Sequence, residues 1–499
     1  MAIETELKLR ISSEHMMRLK RHPFLRSMSI KPAISRKLYS VYFDTPNLKL
    51  HHARMALRLR RIGKQYVQTL KGGGGVQAGL HLRNEWETPI AGEKLDFAAL
   101  EAIGASPLKP SLRNKLQPLF LTDFTRSIRM VEFEGALIEM AFDSGEVRAR
   151  ESVHLISELE LELKSGEPLQ LFRLALALLD IVPLEIESTS KAEYGYNLHM
   201  PVSATVAKSS NAKFDSVDAV GGVLQTMVWS CLSHLQANLS GALQHVDDEY
   251  LHQLRVALRK LRVVLRMVAE QHSDAELENF REQVSALATS LGSTREWDVF
   301  TAQTLPSVRK HLGKQSGLKA IAQRSEELRL QHHQAVHATL QSGSFQHLLL
   351  GLGAWMYGEF WHNFSHDGEL QFFAAENLHK HSRKVHLYSK YLQYPIDVGG
   401  LHRLRIACKN LRYSAELFAS IHDAKKIQAY VDILAKLQDV LGELNDHSVA
   451  YQLLKELDSS LNQKTIGLIN QEIERSYSKL LQSMPKVWKR FVKQPEAWS

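Results

Sequence analysis

The spacing of hydrophobic and polar positions changes period near residue 200. Before that point they alternate, or run short and β-rich, over Ile3–Ile11, Leu38–Phe43, Met55–Ile62, Tyr66–Lys71, Leu80–Thr88, Val131–Glu134, Ala136–Phe142 and Val153–Lys164. A period of two predicts strands. Glu134-Gly135, Asp143-Ser144-Gly145 and the run Gly72–Gly75 read as turns between them. Helical spacing interrupts the strands at Glu14–Leu19 and Leu169–Leu179. Residues 201–216 are rich in Ser, Ala, Lys and Asn without periodicity, which predicts a linker. Beyond it Val217–Leu243, Asp248–Gln271, Ala275–Leu291 and Leu401–Ile421 carry apolar residues at helical spacing. The expected fold class is α+β in two domains: an antiparallel β domain over 1–200 and an all-α domain over 217–499.

Composition narrows the class without naming a function. A 499-residue chain with 44% hydrophobic and 23% charged residues is globular and long enough for more than one domain. No apolar run approaches the roughly 18 residues a membrane span requires, and the start MAIETELKLR lacks a signal-peptide core. With only Cys231 and Cys408, a disulfide framework is excluded and a reducing, cytoplasmic setting is expected, with no membrane partner. The net charge of +8 divides as +4 and +4 about residue 200, so it points to an anion without locating it.

Where the charges fall is more informative. Glu4, Glu6, Lys8 and Arg10 share one face of the first strand, opposite Ile3, Thr5, Leu7 and Leu9. Arg58 and Arg60 share another face, as do Arg83, Glu85 and Glu87, and Glu158, Glu160 and Glu162; Lys71 ends a further strand and Arg126 follows Phe124-Thr125. Any one of these faces suits the solvated side of an antiparallel sheet. Like charges two apart on one strand suit it less well, and enough strands are present to close a barrel with an inside. Stacked carboxylates repel unless a divalent cation lies among them, and stacked guanidinium groups call for a polyanion. Converging there, they describe a site for a metal-bound oligophosphate.

Glu4-x-Glu6-x-Lys8 resembles the ExExK signature of the CYTH superfamily, the triphosphate tunnel metalloenzymes. Leu57-Arg58-Leu59-Arg60, Thr69-Leu70-Lys71, Arg83-x-Glu85-x-Glu87, Thr125-Arg126, Asp143-Ser144-Gly145, Glu158-x-Glu160-x-Glu162 and Ser190-Lys191 follow in that family's order. One departure stands out: the family pattern near its end carries arginine where this chain has Tyr194. The resemblance implies an eight-stranded antiparallel tunnel that hydrolyses a triphosphate with Mg²⁺ or Mn²⁺. It implies metal ligands among Glu4, Glu6, Asp143, Glu158, Glu160 and Glu162, with Glu139 as a helper. Arg58, Arg60, Lys71, Arg83, Arg126 and Lys191 would hold phosphates. Glu4, Glu6, Lys8, Glu85 and Glu87 would complete the catalytic set, the last two pairing with cations or orienting the water.

The helical half contains a repeat. His252-x-x-Arg255-x-x-x-Arg259-x-x-Arg262 matches His402-x-x-Arg405-x-x-x-Lys409-x-x-Arg412, and Leu291-Gly292 followed by Asp298 is echoed by Leu441-Gly442 followed by Asp446. Each series forms a cationic stripe beside a leucine stripe. Like charges at helical spacing destabilise a helix, so finding the stripe twice points to a two-sided groove for a linear polyanion. This half resembles the CHAD domain, and the resemblance implies inorganic polyphosphate as ligand. The expected function is therefore hydrolysis of inorganic triphosphate beside a polyphosphate-binding domain. A polyphosphate-binding scaffold, and a hydrolase or cyclase for an organic triphosphate, are the alternatives. Specific nucleic-acid recognition is not expected, because no aromatics interleave the basic stripes. The oligomeric state is left open.

Overall fold

The structure, a computed structural model, describes all residues except 1, 78, 106–107, 201–204, 210–211, 245–246, 314–316, 365–367, 393–396, 458–461 and 499. It divides into two compact units, residues 1–205 with 341–363, and 206–340 with 364–499. Residues 201–204 and 210–211 of the linker expected over 201–216 lie outside the described residues.

The first unit is a closed eight-stranded antiparallel barrel. Its strands are β1 (Ala2–Arg10), β2 (Ile34–Asp44), β3 (Met55–Ile62), β4 (Gln65–Gln77), β5 (Leu80–Ile90), β6 (Gln117–Phe133), β7 (Ala136–Ala149) and β8 (Ser152–Ser165). They run in the order β5-β4-β3-β2-β6-β7-β8-β1, and pairing of β1 with β5 closes the ring. A two-residue β9 (Glu185–Ile186) pairs with Leu9 and Arg10 of β1, just past the end of the β5 ladder. Outward positions such as Leu7, Leu9, Leu159 and Leu161 are fully buried. The apolar helix Pro168–Leu179 covers part of that outer side, packing on β1 and β8. Glu4, Glu6, Lys8, Arg58 and Arg60 point into the barrel, where alternation placed them, whereas Arg10 on the same face of β1 is exposed and pairs with Glu185.

Two expected turns are instead strand. Asp143-Ser144-Gly145 lies inside β7, with Asp143 opposite Arg126 on β6 and Glu158 on β8. Gly145 is needed there because β6 passes so close: a Cβ would stand 2.3 Å from the Asp123 carbonyl oxygen. The Gly72–Gly75 run is a bulge within β4, where the register against β5 shifts. Glu134-Gly135 is a true turn, both residues at positive φ between Phe133 and Ala136.

The second unit is helical among the described residues. Val220–Leu243, Asp248–Gln271, Ala275–Val299, Leu318–Leu340, Leu370–Tyr388, Val398–Leu417, Ala424–Glu456 and Gln463–Val492 are its long helices. The leucine stripe of Asp248–Gln271 is buried, including Leu254, Leu258, Leu261 and Leu265. No described helix is long and apolar enough to cross a membrane.

Candidate functional site

The barrel encloses a cavity of about 290 Å³. From β1 come Glu4, Glu6 and Lys8; from β3, Arg58 and Arg60; from β4, Lys71; from β5, Arg83, Glu85 and Glu87; from β8, Glu160 and Glu162. Arg126 on β6 and Lys191 complete the expected lining. Lys191 is delivered by the Lys191–His199 helix, which Ser190 caps: its Oγ accepts from the Glu193 amide at 3.2 Å while Glu193 accepts from the Ser190 amide at 2.9 Å. Gly195 lets this helix sit tightly on Phe120, and Tyr196 joins the apolar cluster of Leu38, Tyr42, Phe120 and Phe124.

The deep end of the cavity is a buried ion network. Lys8 Nζ lies 2.8 Å from Glu160 and 3.2 Å from Glu6. Arg126 grips Asp143 with two hydrogen bonds, at 2.8 and 2.6 Å, and also pairs with Glu160. Asp143, Glu158 and Glu160 bring oxygens within 4.8 Å of one another. The Lys191 ammonium sits among them, 2.7 Å from Asp143, 2.9 Å from Glu160 and ion-paired with Glu158. Asp143 and Glu158 do not line the cavity; they lie behind it and hold the two cations that do.

Nearer the opening, carboxylates and cations share the wall more loosely. Lys71 pairs with Glu4 and lies 3.5 Å from Glu85; Arg58 lies 3.6 Å from Glu85 and 3.8 Å from Glu87. Burial, with Glu6 and Glu85 nearby, raises the Glu4 pKa despite Lys71. Burial likewise raises Glu162, with help from Glu4 and Glu139. Glu6 is the opposite case: burial works against its charge, but Lys8, Lys71 and His81 outweigh it and hold the pKa at about 2. Burial also opposes the Glu160 carboxylate, which Arg126 and Lys8 keep well below the usual range.

Arg60 stands out. It is 8% exposed, and its hydrogen bond is to the Ser40 hydroxyl at 3.0 Å. No carboxylate of the described residues comes within 4.0 Å of it. Burial, then Arg58 and Arg126, lowers its pKa to about 9. A buried guanidinium left this way is costly unless an anion completes it. The neighbouring Arg58 Nε is also buried without a hydrogen-bond partner.

The second unit holds a cavity of about 530 Å³ between its two repeated helices. His252, Arg255, Arg259, His402, Arg405 and Lys409 all line it. Arg255 is anchored by the Leu291 and Gly292 carbonyls at 2.6 and 2.7 Å. Arg259 Nε, Arg405 Nε and the Tyr477 hydroxyl are buried without hydrogen-bond partners. Arg262 and Arg412 fall outside the cavity: Arg262 is exposed, and Arg412 bonds Glu416 at 2.9 Å and Gln438 at 3.1 Å. Ten residues after the leading histidine, an α-helix has turned roughly 80° off the starting direction, so the stripe rotates away.

Two family models match: the CYTH domain over residues 2–196 and the CHAD domain over 226–455. The chain carries both domains. The inorganic triphosphatase of Haemophilus influenzae is 37% identical over 195 residues, which are 39% of this chain and 54% of that protein. The chain thus spans about half the length of that curated relative. The crystal structure of the CHAD domain from Ricinus communis aligns at 26% identity with a TM-score of 0.52, covering 59% of this chain and 98% of that one.

Within the CYTH barrel, Arg36, Tyr42 and Lys164 also line the cavity, and the motif reading passed over them. The first two share a face with Ser40; Arg36 was lost because the expected strand began at Leu38, and Tyr42, inside that strand, carries no charge to mark it. Lys164 extends the Glu158–Glu160–Glu162 series by one step. Within the CHAD cavity, Arg295 and Glu296 were missed, and Asp446, matched in the sequence with Asp298, lines the cavity without it. Glu296 and Asp446 are related by the same offset of 150 residues as His252 and His402, so the repeat itself marks them. Tyr194, standing at the family's arginine position, points away from the tunnel. Its ring stacks on His154 at 3.8 Å and its hydroxyl donates to Glu187 at 2.8 Å.

Proposed function

We propose that the CYTH barrel hydrolyses inorganic triphosphate to diphosphate and phosphate with Mg²⁺ or Mn²⁺, and that the CHAD cavity binds polyphosphate. The observation that carries the first part is Arg60, a buried cation facing the cavity beside Arg58 and Arg126 with no carboxylate of its own. The name of the Haemophilus influenzae relative supports the same substrate.

The donor set fits a hard divalent cation. Glu4, Glu6, Glu139, Glu160 and Glu162 present carboxylate oxygens to one cavity, and Glu6 Oε1, 3.2 Å from the Lys8 ammonium, makes no hydrogen bond. Glu4 and Glu6 with Glu160 and Glu162 are the ligands we assign; Asp143 and Glu158 instead hold Arg126 and Lys191 in place. Bound there, the metal supplies charge neutralisation for the phosphoryl oxygens and acidifies water.

The chain's own residues do the positioning on which phosphoryl transfer depends. Arg58, Arg60 and Arg126 offer forked donors to the spread phosphate charge, with Lys71, Arg83 and Lys191 around them. Lys8, kept protonated by Glu160 and Glu6 against the effect of burial, stays a fixed positive charge throughout. Glu85 and Glu87, on the same wall beside Arg58 and Lys71, orient the water that attacks the terminal phosphorus. The bond from that phosphorus to the bridging oxygen breaks, and diphosphate leaves.

Tyr42 is the one aromatic in the described lining; it is 4% exposed and stacks on Phe120 at 4.7 Å. No open ring is offered to a nucleobase or thiazole, which favours the inorganic substrate. In the CHAD domain, the buried unpaired nitrogens of Arg259 and Arg405 support an anionic chain as ligand. The reading is tested by phosphate release from tripolyphosphate, ATP, thiamine triphosphate and long-chain polyphosphate, with Mg²⁺, Mn²⁺ or EDTA. Tripolyphosphate is expected to be turned over best and EDTA to stop it; preference for ATP or thiamine triphosphate contradicts the assignment.

A further inference from the structure

The helix Gly343–Met356 lies far from the barrel in sequence, yet it belongs to the barrel's unit, and the flanking residues 206–340 and 364–499 do not. Nine of its residues are buried, from Phe345 to Met356. Gly353 takes the close approach of Phe172 on the Pro168–Leu179 helix, where a Cβ would stand 2.3 Å from the ring. Tyr357, just after the helix, stacks on the same ring at 5.9 Å, and His347 lies 3.0 Å from Asp180.

Gln346 makes the polar contact that leads to the site. It is 3% exposed, and its Oε1 accepts from the Ile186 amide at 3.0 Å. Ile186 is in β9, whose other edge pairs with β1, and the next amide, Glu187, donates to the Lys8 carbonyl at 2.9 Å. The Glu187 carboxylate in turn accepts from the Thr189 amide and the Tyr194 hydroxyl, both at 2.8 Å. One residue further on, Ser190 caps the helix that carries Lys191. Every link from Gln346 to Lys191 is therefore a hydrogen bond or a peptide bond.

A buried glutamine that satisfies an edge-strand amide is ordinary structural bookkeeping. What distinguishes this one is that the strand it holds is five residues from a phosphate-facing lysine, with no regular element between. We propose that Gln346 is a positioning residue for the triphosphate tunnel: it fixes β9, and through β9 it sets the placement of Lys191. The kinetic part of this proposal rests on the tunnel reading given above; the structural part does not.

The test uses the full chain with Gln346→Leu, which removes the acceptor, and Gln346→Glu, which keeps an oxygen in its place. Amide hydrogen exchange over residues 186–191 is measured beside kcat and KM for tripolyphosphate with Mg²⁺. Gln346→Leu is expected to speed exchange there and to raise KM about tenfold with a smaller change in kcat, as displaced binding groups do. Gln346→Glu is expected to restore both. Exchange that stays slow in Gln346→Leu overturns the proposal, as does fast exchange with unchanged KM, or failure of Gln346→Glu to restore either. Should Gln346→Leu not fold, Gln346→Met replaces it. A wild-type chain inactive on tripolyphosphate would fail the tunnel reading alone, and the exchange measurement would still decide whether this helix holds the Lys191 segment.

Discussion

A single side chain such as Lys409 shows how strongly these cavities work against their own charge. Burial, with Arg405, Arg259 and Arg255 close by, brings its pKa down to about 6. At pH 8 it is then largely neutral in the free protein, and a bound polyanion would draw a proton onto it. Binding that takes up a proton tightens as pH falls. Long-chain polyphosphate is therefore expected to bind on the order of tenfold more tightly at pH 6 than at pH 8. His252, whose pKa burial lowers, and Glu296, whose pKa burial raises, face the same cavity, and protonating either acts in the same direction. Calorimetry at constant ionic strength checks this; Lys409→Met should flatten the pH dependence, and an unaltered slope would assign it elsewhere. The tunnel contains the reverse case in Glu6, whose ionisation Lys8 secures down to about pH 2.

At the scale of elements, period-two alternation made β1, β3, β5 and β8 legible, together with the charges they turn inward. It failed on β6, of which only Val131–Glu134 was visible. Polar residues such as Thr122, Asp123 and Thr125 occur on both faces of that strand, so no alternation survives. It failed again at Asp143-Ser144-Gly145, where turn-favouring residues occupy a strand because β6 passes too close for a side chain. Gly145→Ala is accordingly expected to cost about 3 kcal/mol in urea unfolding, since backbone and not a flexible side chain must move. A cost near zero would mean that β6 and β7 are less tightly joined there. The ion network of Asp143 and Glu158 around Lys191 was also illegible: their acidity was plain in the sequence, but not the ammonium that occupies them. Gln346 gave no signal at all, because its partner is 160 residues away.

For the whole molecule, a small net charge conceals two concentrated sites with different chemistry. The CYTH barrel sets cations against carboxylates in one cavity, the combination that metal-assisted phosphoryl transfer requires. In the CHAD cavity the cations outnumber the acids Glu296 and Asp446 by more than in the barrel, which suits it to holding an anionic chain. On the proposed function, the positive balance seen in the sequence divides into one site for cleavage and one for binding. Whether the barrel cleaves is decided by phosphate release from tripolyphosphate with saturating Mg²⁺, wild type against Glu4→Ala. Rapid release by the wild type is expected, with a loss of roughly a hundredfold or more in the variant, the scale of a lost charge-stabilising group. Wild-type turnover in Glu4→Ala would contradict it.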